Sequence, residues 1–272
     1  MTTKGETRQD VDKGGAGSEQ RAKPVSVQLY TLRDLAAKGF AAVLRQVADI
    51  GYAGVEPAGF YGLSAGDVRK IVEDLGMAIS SSHGPWASPD NLNECVDTAG
   101  VLGLDLVSSG FGPEDFKTLD AIRRTAEKVD GMTAFLRRHG LGLFLHNHWW
   151  EFELVDGRLA YDHFAALCPD VRFEIDTYWA ANFGANDPAE QVAKFRDRAP
   201  LLHIKDGPLV KDAAHLAVGQ GKIDVPAVIA AADPRVLRWL VVELDFCATD
   251  MMKAVADSYG YLTRRGLARG KR

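Results

Sequence analysis

The feature that most constrains this chain is a repeated alternation. From Pro24 onward a short apolar run precedes a longer stretch whose apolar residues are spaced as on a helix, eight times over. The runs are VSVQLYTL (25–32), YAGVEPA (52–58), MAISSSHG (77–84), LDLVSSG (104–110), LGLFLHNH (141–148), VRFEIDT (171–177), LLHIKD (201–206) and LRWLVVELD (237–245). The helical stretches are 40–51, 64–76, 91–103, 119–139, 162–167, 189–199, 225–232 and 251–267, several of them ending at a glycine suited to a helix C-terminus. Strands that alternate with helices pair in parallel, because a parallel neighbour is reached only through a crossover. Eight such units are what a closed barrel needs, so the expected fold is α/β, a single (β/α)8 TIM barrel over residues 24–272.

Length and charge narrow the partners. A chain of 272 residues, 46% hydrophobic, suffices for one barrel domain. A net charge of −5 leaves no cationic excess for a phosphate backbone or an anionic membrane surface, so neither nucleic acid nor membrane is expected as a partner. No apolar run reaches the roughly 18 residues of a membrane span and no signal-peptide core precedes the first strand, which points to the cytoplasm. Residues 1–23 are polar and glycine-containing and read as a tail without chemistry. Cys95, Cys168 and Cys247 are scattered and read as reduced core thiols. The basic end TRRGLARGKR reads as solvated, and so do His139, His163 and His215.

In a barrel of this kind reactive groups sit where strands end. The strand ends here carry hard ligands: His146, His148 and Glu151 around the fifth, Asp176 at the sixth, His203 in the seventh and Glu243 in the eighth. Asp176 and Glu243 interrupt apolar runs, where a carboxylate without a partner costs several kcal/mol to bury. A bound cation removes that cost, and so does a neighbouring cation such as Lys205. Mixed imidazole and carboxylate donors suit Mn, Mg, Co, Fe or Zn without choosing among them. In HNHWWEF (146–152) strand alternation sends His146 and His148 to one face. Trp149 and Trp150 beside them either pack on outer helices or stack on a sugar ring.

HNHWWEF, EIDTYW (174–179), LHIKD (202–206), VGQGKID (218–224) and VVELD (241–245) together resemble the sugar phosphate isomerase/epimerase group of the xylose isomerase-like barrels, the superfamily that includes the family 2 apurinic-site endonucleases. The resemblance runs from about Val25 to the last helix. It implies one divalent ion, Mn first, held by Glu151, Asp176, His203 and Glu243, and proton abstraction beside a carbonyl with the metal stabilising an enediolate oxygen. Epimerases of the tagatose type place a glutamate ligand in the fifth strand itself, where this chain has histidines. A free imidazole is a suitable base near neutral pH, so His148 is the first candidate for proton transfer and His146 the second. Glu243 and Lys205 complete the catalytic candidates. Gln28, Glu56, His83, Trp149 and Lys205 are candidates for binding a small sugar substrate.

The reading is thus an isomerase or epimerase of a keto-sugar or polyol derivative. The HNH pattern is also similar to inosose dehydratase-like enzymes and to barrel subunits that cleave 3-keto C-glycosides, which would make the chain a lyase sharing the same first step. An apurinic-site endonuclease would need more metal ligands and a basic groove. A homo-oligomer or a small β-rich partner subunit is compatible with all of this. Gly219 and Gly221 in VGQGKID read as turn residues rather than a phosphate loop.

Overall fold

The structure, a computed structural model, describes residues 22–271. The segment read as a tail therefore lies, up to residue 21, outside the described residues. Eight strands form the barrel sheet: β1 (Lys23–Gln28), β2 (Gly54–Glu56), β3 (Ala78–Ile79), β4 (Leu106–Ser109), β5 (Gly142–His146), β6 (Arg172–Asp176), β7 (Leu201–Ile204) and β8 (Trp239–Val242). They are interleaved with α1 (Arg33–Ile50), α2 (Ala65–Asp74), α3 (Leu92–Leu102), α4 (Leu119–Arg138), α5 (Ala160–Leu167), α6 (Pro188–Phe195), α7 (Val225–Ala231) and α8 (Met251–Arg264). The parallel sheet runs β3-β2-β1-β8-β7-β6-β5-β4. Between β3 and β4 no ladder forms, and the backbone of Ala87 spans the seam: its N–H donates to Ser108 O and its carbonyl accepts from Ser109 Oγ, both at 2.8 Å.

Each strand is shorter than its apolar run, since the last residues of a run leave the ladder to enter the loop at the barrel mouth. Helix ends follow local chemistry. Ser64 and Asp67 close a capping box at the start of α2, Thr118 Oγ1 accepts from Ala121 N–H at the start of α4, and Gly51 and Gly103 end α1 and α3 in the left-handed region. Helix α1 begins at Arg33, seven residues before its regular spacing, because Gly39 breaks the helical backbone and shifts the periodicity. Most residues of the strands are buried on both sides, as in a sheet covered by helices and filled within.

Three surface expectations are corrected. Lys23, read as the last residue of the tail, belongs to β1 and pairs with Ala268; the short strand Ala268–Arg269 buries Ala268 while Arg264, Arg265, Arg269 and Lys271 are exposed, as the solvated reading has it. His215 is buried among Tyr178, Trp179 and Phe246. Cys95 and Cys168 are buried core thiols, but Cys247 is only half buried.

Candidate active site

Strand register builds the site in layers. His146 of β5 stands beside Glu174 of β6, and Asp176, one inward step further, stands beside His203 of β7. Glu243 directly follows β8. Gln28, like Glu243 one residue beyond the Val27–Val242 pair, stands beside Glu56 across β1 and β2. All of these side chains are buried.

His203 is the hub. Its Nδ1 lies 2.7 Å from Glu243 Oε2, and its Nε2 lies 2.8 Å from Glu56 Oε1 and 3.1 Å from Glu174 Oε2. Burial alone would lower its pKa, but the carboxylates of Glu174, Glu243 and Glu56 outweigh that and hold the imidazole well above its ordinary value. Glu174 is driven the other way: burial disfavours its charge, yet His203 and His83 keep it well below the carboxylate range. His83 Nε2 is 2.6 Å from Glu174 Oε2. Glu56 also accepts from Gln28 Nε2 at 2.5 Å and from Ser81 Oγ, and burial next to Glu174 raises its pKa.

Lys205 forms a second hub. Fully buried, its Nζ donates to Asp245 Oδ2 at 2.8 Å and lies 2.9 Å from both Asp176 Oδ2 and Glu243 Oε2. The pairing of acids with Lys205 that the sequence allowed is therefore real, and it coexists with a ligand cluster. Burial raises Asp176 to about 6 despite the Lys205 charge.

Two groups of potential ligands have atoms within 4.8 Å of one another: His146, Asp176, His203 and Glu243, and the deeper set His83, His146, Glu174 and His203. They share His146 and His203, so they are two levels of one constellation. One atom of the upper set favours a cation: His146 Nδ1 is buried without a hydrogen bond, 3.3 Å from Glu174 and out of bonding geometry, whereas Asp176 Oδ2 already lies 2.9 Å from the Lys205 ammonium. Burial keeps His146 well below its ordinary pKa, hence neutral and able to ligate. A mixed nitrogen and oxygen donor set with free lone pairs fits a divalent ion.

Glu151 lies in neither group. Its Oε2 accepts from His148 N–H at 2.9 Å, and burial pushes its carboxyl up to about 8. The structure thus brings His146, rather than Glu151, together with Asp176, His203 and Glu243. The one-turn 3-10 helix Trp150–Phe152 turns the Glu151 carboxylate back onto the chain, which spacing alone could not reveal. Glu174 was overlooked at the sequence level, although alternation along FEIDT places it on the face of Asp176.

Above the cluster a cavity of about 260 Å³ is lined by Tyr30, Ala58, His83, Trp86, His146, His148, Glu243 and Asp245. The rings of His146 and His148 stand perpendicular with centroids 5.1 Å apart, and His148 stacks on Trp150 at 4.3 Å. Burial and the Lys205 charge lower His148 to about 4, so the ring is neutral at pH 7. Trp86 reaches the cavity because Gly110 lies beneath it; a Cβ there would meet the indole at 1.8 Å. Trp149 instead packs near Phe183, with Lys211 Nζ 4.9 Å from its ring centroid. Of the substrate candidates only His83 lines the cavity. Gln28, Glu56 and Lys205 support it from below.

A sequence model of the xylose isomerase-like TIM barrel family matches residues 44–257, and the chain belongs to that family. No curated protein matches it. Among solved structures it is similar to a sugar phosphate isomerase/epimerase from Parabacteroides distasonis at 23% identity, covering 94% of this chain and 97% of that one, TM-score 0.73. It is also similar to the probable 3-DHS dehydratase AsbF from Bacillus anthracis, at 10% identity over 89% and 99% of the two chains, TM-score 0.66. A xylose isomerase-like TIM barrel protein from Mycobacterium smegmatis in complex with magnesium shares 18% identity over 92% and 99%, TM-score 0.65. At these identities the likeness is one of fold.

Proposed function

We propose that the chain is a divalent-metal sugar isomerase or epimerase acting on a small keto-sugar or polyol derivative. The observation that carries this reading is the convergence of His146, Asp176, His203 and Glu243 from four adjacent strands beneath a cavity that also presents His148. When bound there, a divalent ion supplies Lewis-acid polarisation of a substrate carbonyl and stabilises negative charge on its oxygen. The residues do the rest. His148, neutral at pH 7, accepts the proton from the carbon beside the carbonyl and returns it to the neighbouring carbon on the same face; inversion at one carbon takes a second group on the opposite face. Lys205 holds Asp176, Glu243 and Asp245 in one geometry. Trp86 and Tyr30 supply aromatic surface on the cavity wall.

The test joins elemental analysis with exchange of the substrate's carbon-bound proton in deuterated water. Protein expressed with manganese or magnesium should carry about one ion per chain, and Asp176→Ala and His203→Ala should lose it. His148→Ala should keep the ion and lose exchange by about 10²–10⁴-fold. Exchange at the parental rate in His148→Ala moves the base to another group, and a metal-free protein after supplementation removes the metal reading. Release of a β-substituent after exchange would make the enzyme a lyase acting through the same first step.

A further inference from the structure

We infer that the face of the barrel opposite the mouth carries a second binding site, an arginine-lined cavity for a small organic polyanion bearing phosphate or carboxylate groups. The cavity, of about 700 Å³, lies where five neighbouring strands begin. Asp105 precedes β4, Gly142 opens β5, Arg172 opens β6, Pro200 precedes β7 and Arg238 precedes β8, and all five residues line it. Asp176 ends the strand that Arg172 opens, so this cavity and the ligand cluster lie at opposite ends of the sheet.

The lining is cationic. Arg137, Arg172, Arg235 and Arg238 stand against Asp105 and Asp170, with no lysine, histidine or glutamate among the lining residues. Beside the lining are one more acid and one more cation: Asp233, which its hydrogen bonds to Arg235 and the nearby Arg196 charge hold down to about 2, and Arg196 itself. With these included, five guanidiniums stand against three carboxylates, a local surplus of positive charge on a chain whose net charge is −5. A cationic cavity on an acidic chain concentrates anions at one place.

The guanidinium forks also keep donors to spare, since each carries five N–H groups. Arg238 uses Nη1 for both oxygens of Asp105, at 2.7 Å each, and Arg137 uses Nη2 for Asp170. Arg235 uses Nε and Nη2 for Asp233, at 3.1 and 2.8 Å. Arg172, exposed at the start of β6, makes no side-chain hydrogen bond or ion pair among the described residues. The Arg137–Asp170 and Arg238–Asp105 pairs are half or more exposed, so an incoming oxyanion shares their forks without disturbing the fold. Carboxylates and phosphates match such forks edge to edge. Leu106, Leu141, Pro200 and Val236 add an apolar wall, and the volume falls within the roughly 300–1,000 Å³ of small-molecule sites. The cavity therefore suits two or more oxyanion groups on a carbon body better than a single inorganic ion.

The experiment is calorimetric titration of the whole protein with citrate, fructose 1,6-bisphosphate and ATP, beside inorganic phosphate. At least one of the three organic polyanions should bind with a Kd below about 1 mM at about 0.05 M salt, more tightly than phosphate, and weaken by about tenfold or more at about 0.5 M salt. Citrate against the two phosphate compounds separates carboxylate from phosphate recognition. The double variant Arg172→Gln with Arg238→Gln should weaken that binding at least about tenfold and keep the parental melting temperature and metal content, because both side chains are exposed. Since these anions also chelate divalent ions, the titration is repeated on Asp176→Asn, which should bind them as the parent does. Absence of binding by all three at low salt overturns the inference, and so does equal binding to the parent and the double arginine variant. Binding that Asp176→Asn abolishes and the arginine variant retains places the anion on the metal and overturns it as well.

Discussion

A carboxyl group surrounded by apolar packing is favoured in its neutral form, and Glu151 occupies such a position with its pKa raised to about 8. An unfolded glutamate titrates near 4.3, so between that value and about 8 the folded chain holds a proton that the unfolded chain has lost. Stability from this group is therefore fully present at the acid side and is lost as pH rises through the window. Glu151→Gln removes the titration. Relative to the parent it should leave the melting temperature nearly unchanged at pH 4 and raise it by on the order of 10 °C at pH 8.5. The same variant separates two roles, because it should keep the metal content that Asp176→Ala loses. A loss of metal in Glu151→Gln would return Glu151 to the ligand set. The residue-level reading looked for hard donors at strand ends, and of its four proposed ligands Asp176, His203 and Glu243 come together in one cluster with His146. Glu151 lies outside that cluster because a 3-10 turn, whose geometry depends on packing, decides where its carboxylate points.

At the scale of elements, the long connection from β7 to α7 is held by one carboxylate. Asp206 accepts from the backbone N–H groups of Gly207, Gly219, Gly221 and Ile223 at 2.8–3.1 Å. VGQGKID is thus a structural clasp: a Cβ at Gly221 would lie 2.0 Å from Asp206 Oδ1, and Gly219 combines a positive φ of 88° with a Cβ position 2.2 Å from the Tyr261 ring. The turn reading of these glycines was available from the sequence, but their common acceptor was not, since Asp206 ends a strand more than ten residues earlier. The clasp also carries His215, whose Nδ1 accepts from Asp245 N–H at 3.2 Å and so ties the loop to the site rim. Asp206→Ala strands the buried N–H groups of Gly207 and Ile223 and frees those of Gly219 and Gly221, and should cost about 2–4 kcal/mol. Hydrogen exchange should rise within residues 207–223 while bound metal stays near the parental level. Uniform loosening of the barrel, with the loop no more affected than β5, would show that the clasp is not local.

Taken as a whole, the chain was most legible where period and length agree. Eight apolar runs alternating with helical stretches define the barrel topology, since parallel strands and right-handed crossovers leave few other arrangements. What stayed hidden was long-range: the seam between β3 and β4, the deep pairing of His203 with Glu56 across 147 residues, and the return of the C-terminus to β1. Ala268 and Arg269 extend the sheet beside Lys23 and Pro24, and Lys271 N–H donates to Gly51 O at 2.9 Å. This contact lies at the opposite end of β1 from Gln28, so it belongs to the stability face of the barrel and not to the chemistry at the mouth. Deleting residues 267–272 exposes apolar surface around buried Ala268 and half-buried Leu267 and removes those backbone bonds. The expected cost is about 2–3 kcal/mol, read as a fall in melting temperature of roughly 4–12 °C. Metal content and proton exchange at 25 °C should be unchanged, because every proposed ligand lies toward the other end of the strands. An unchanged melting temperature would mean that the terminal strand is carried by the barrel without supporting it, and a loss of metal would mean that the two faces of the barrel are coupled through β1.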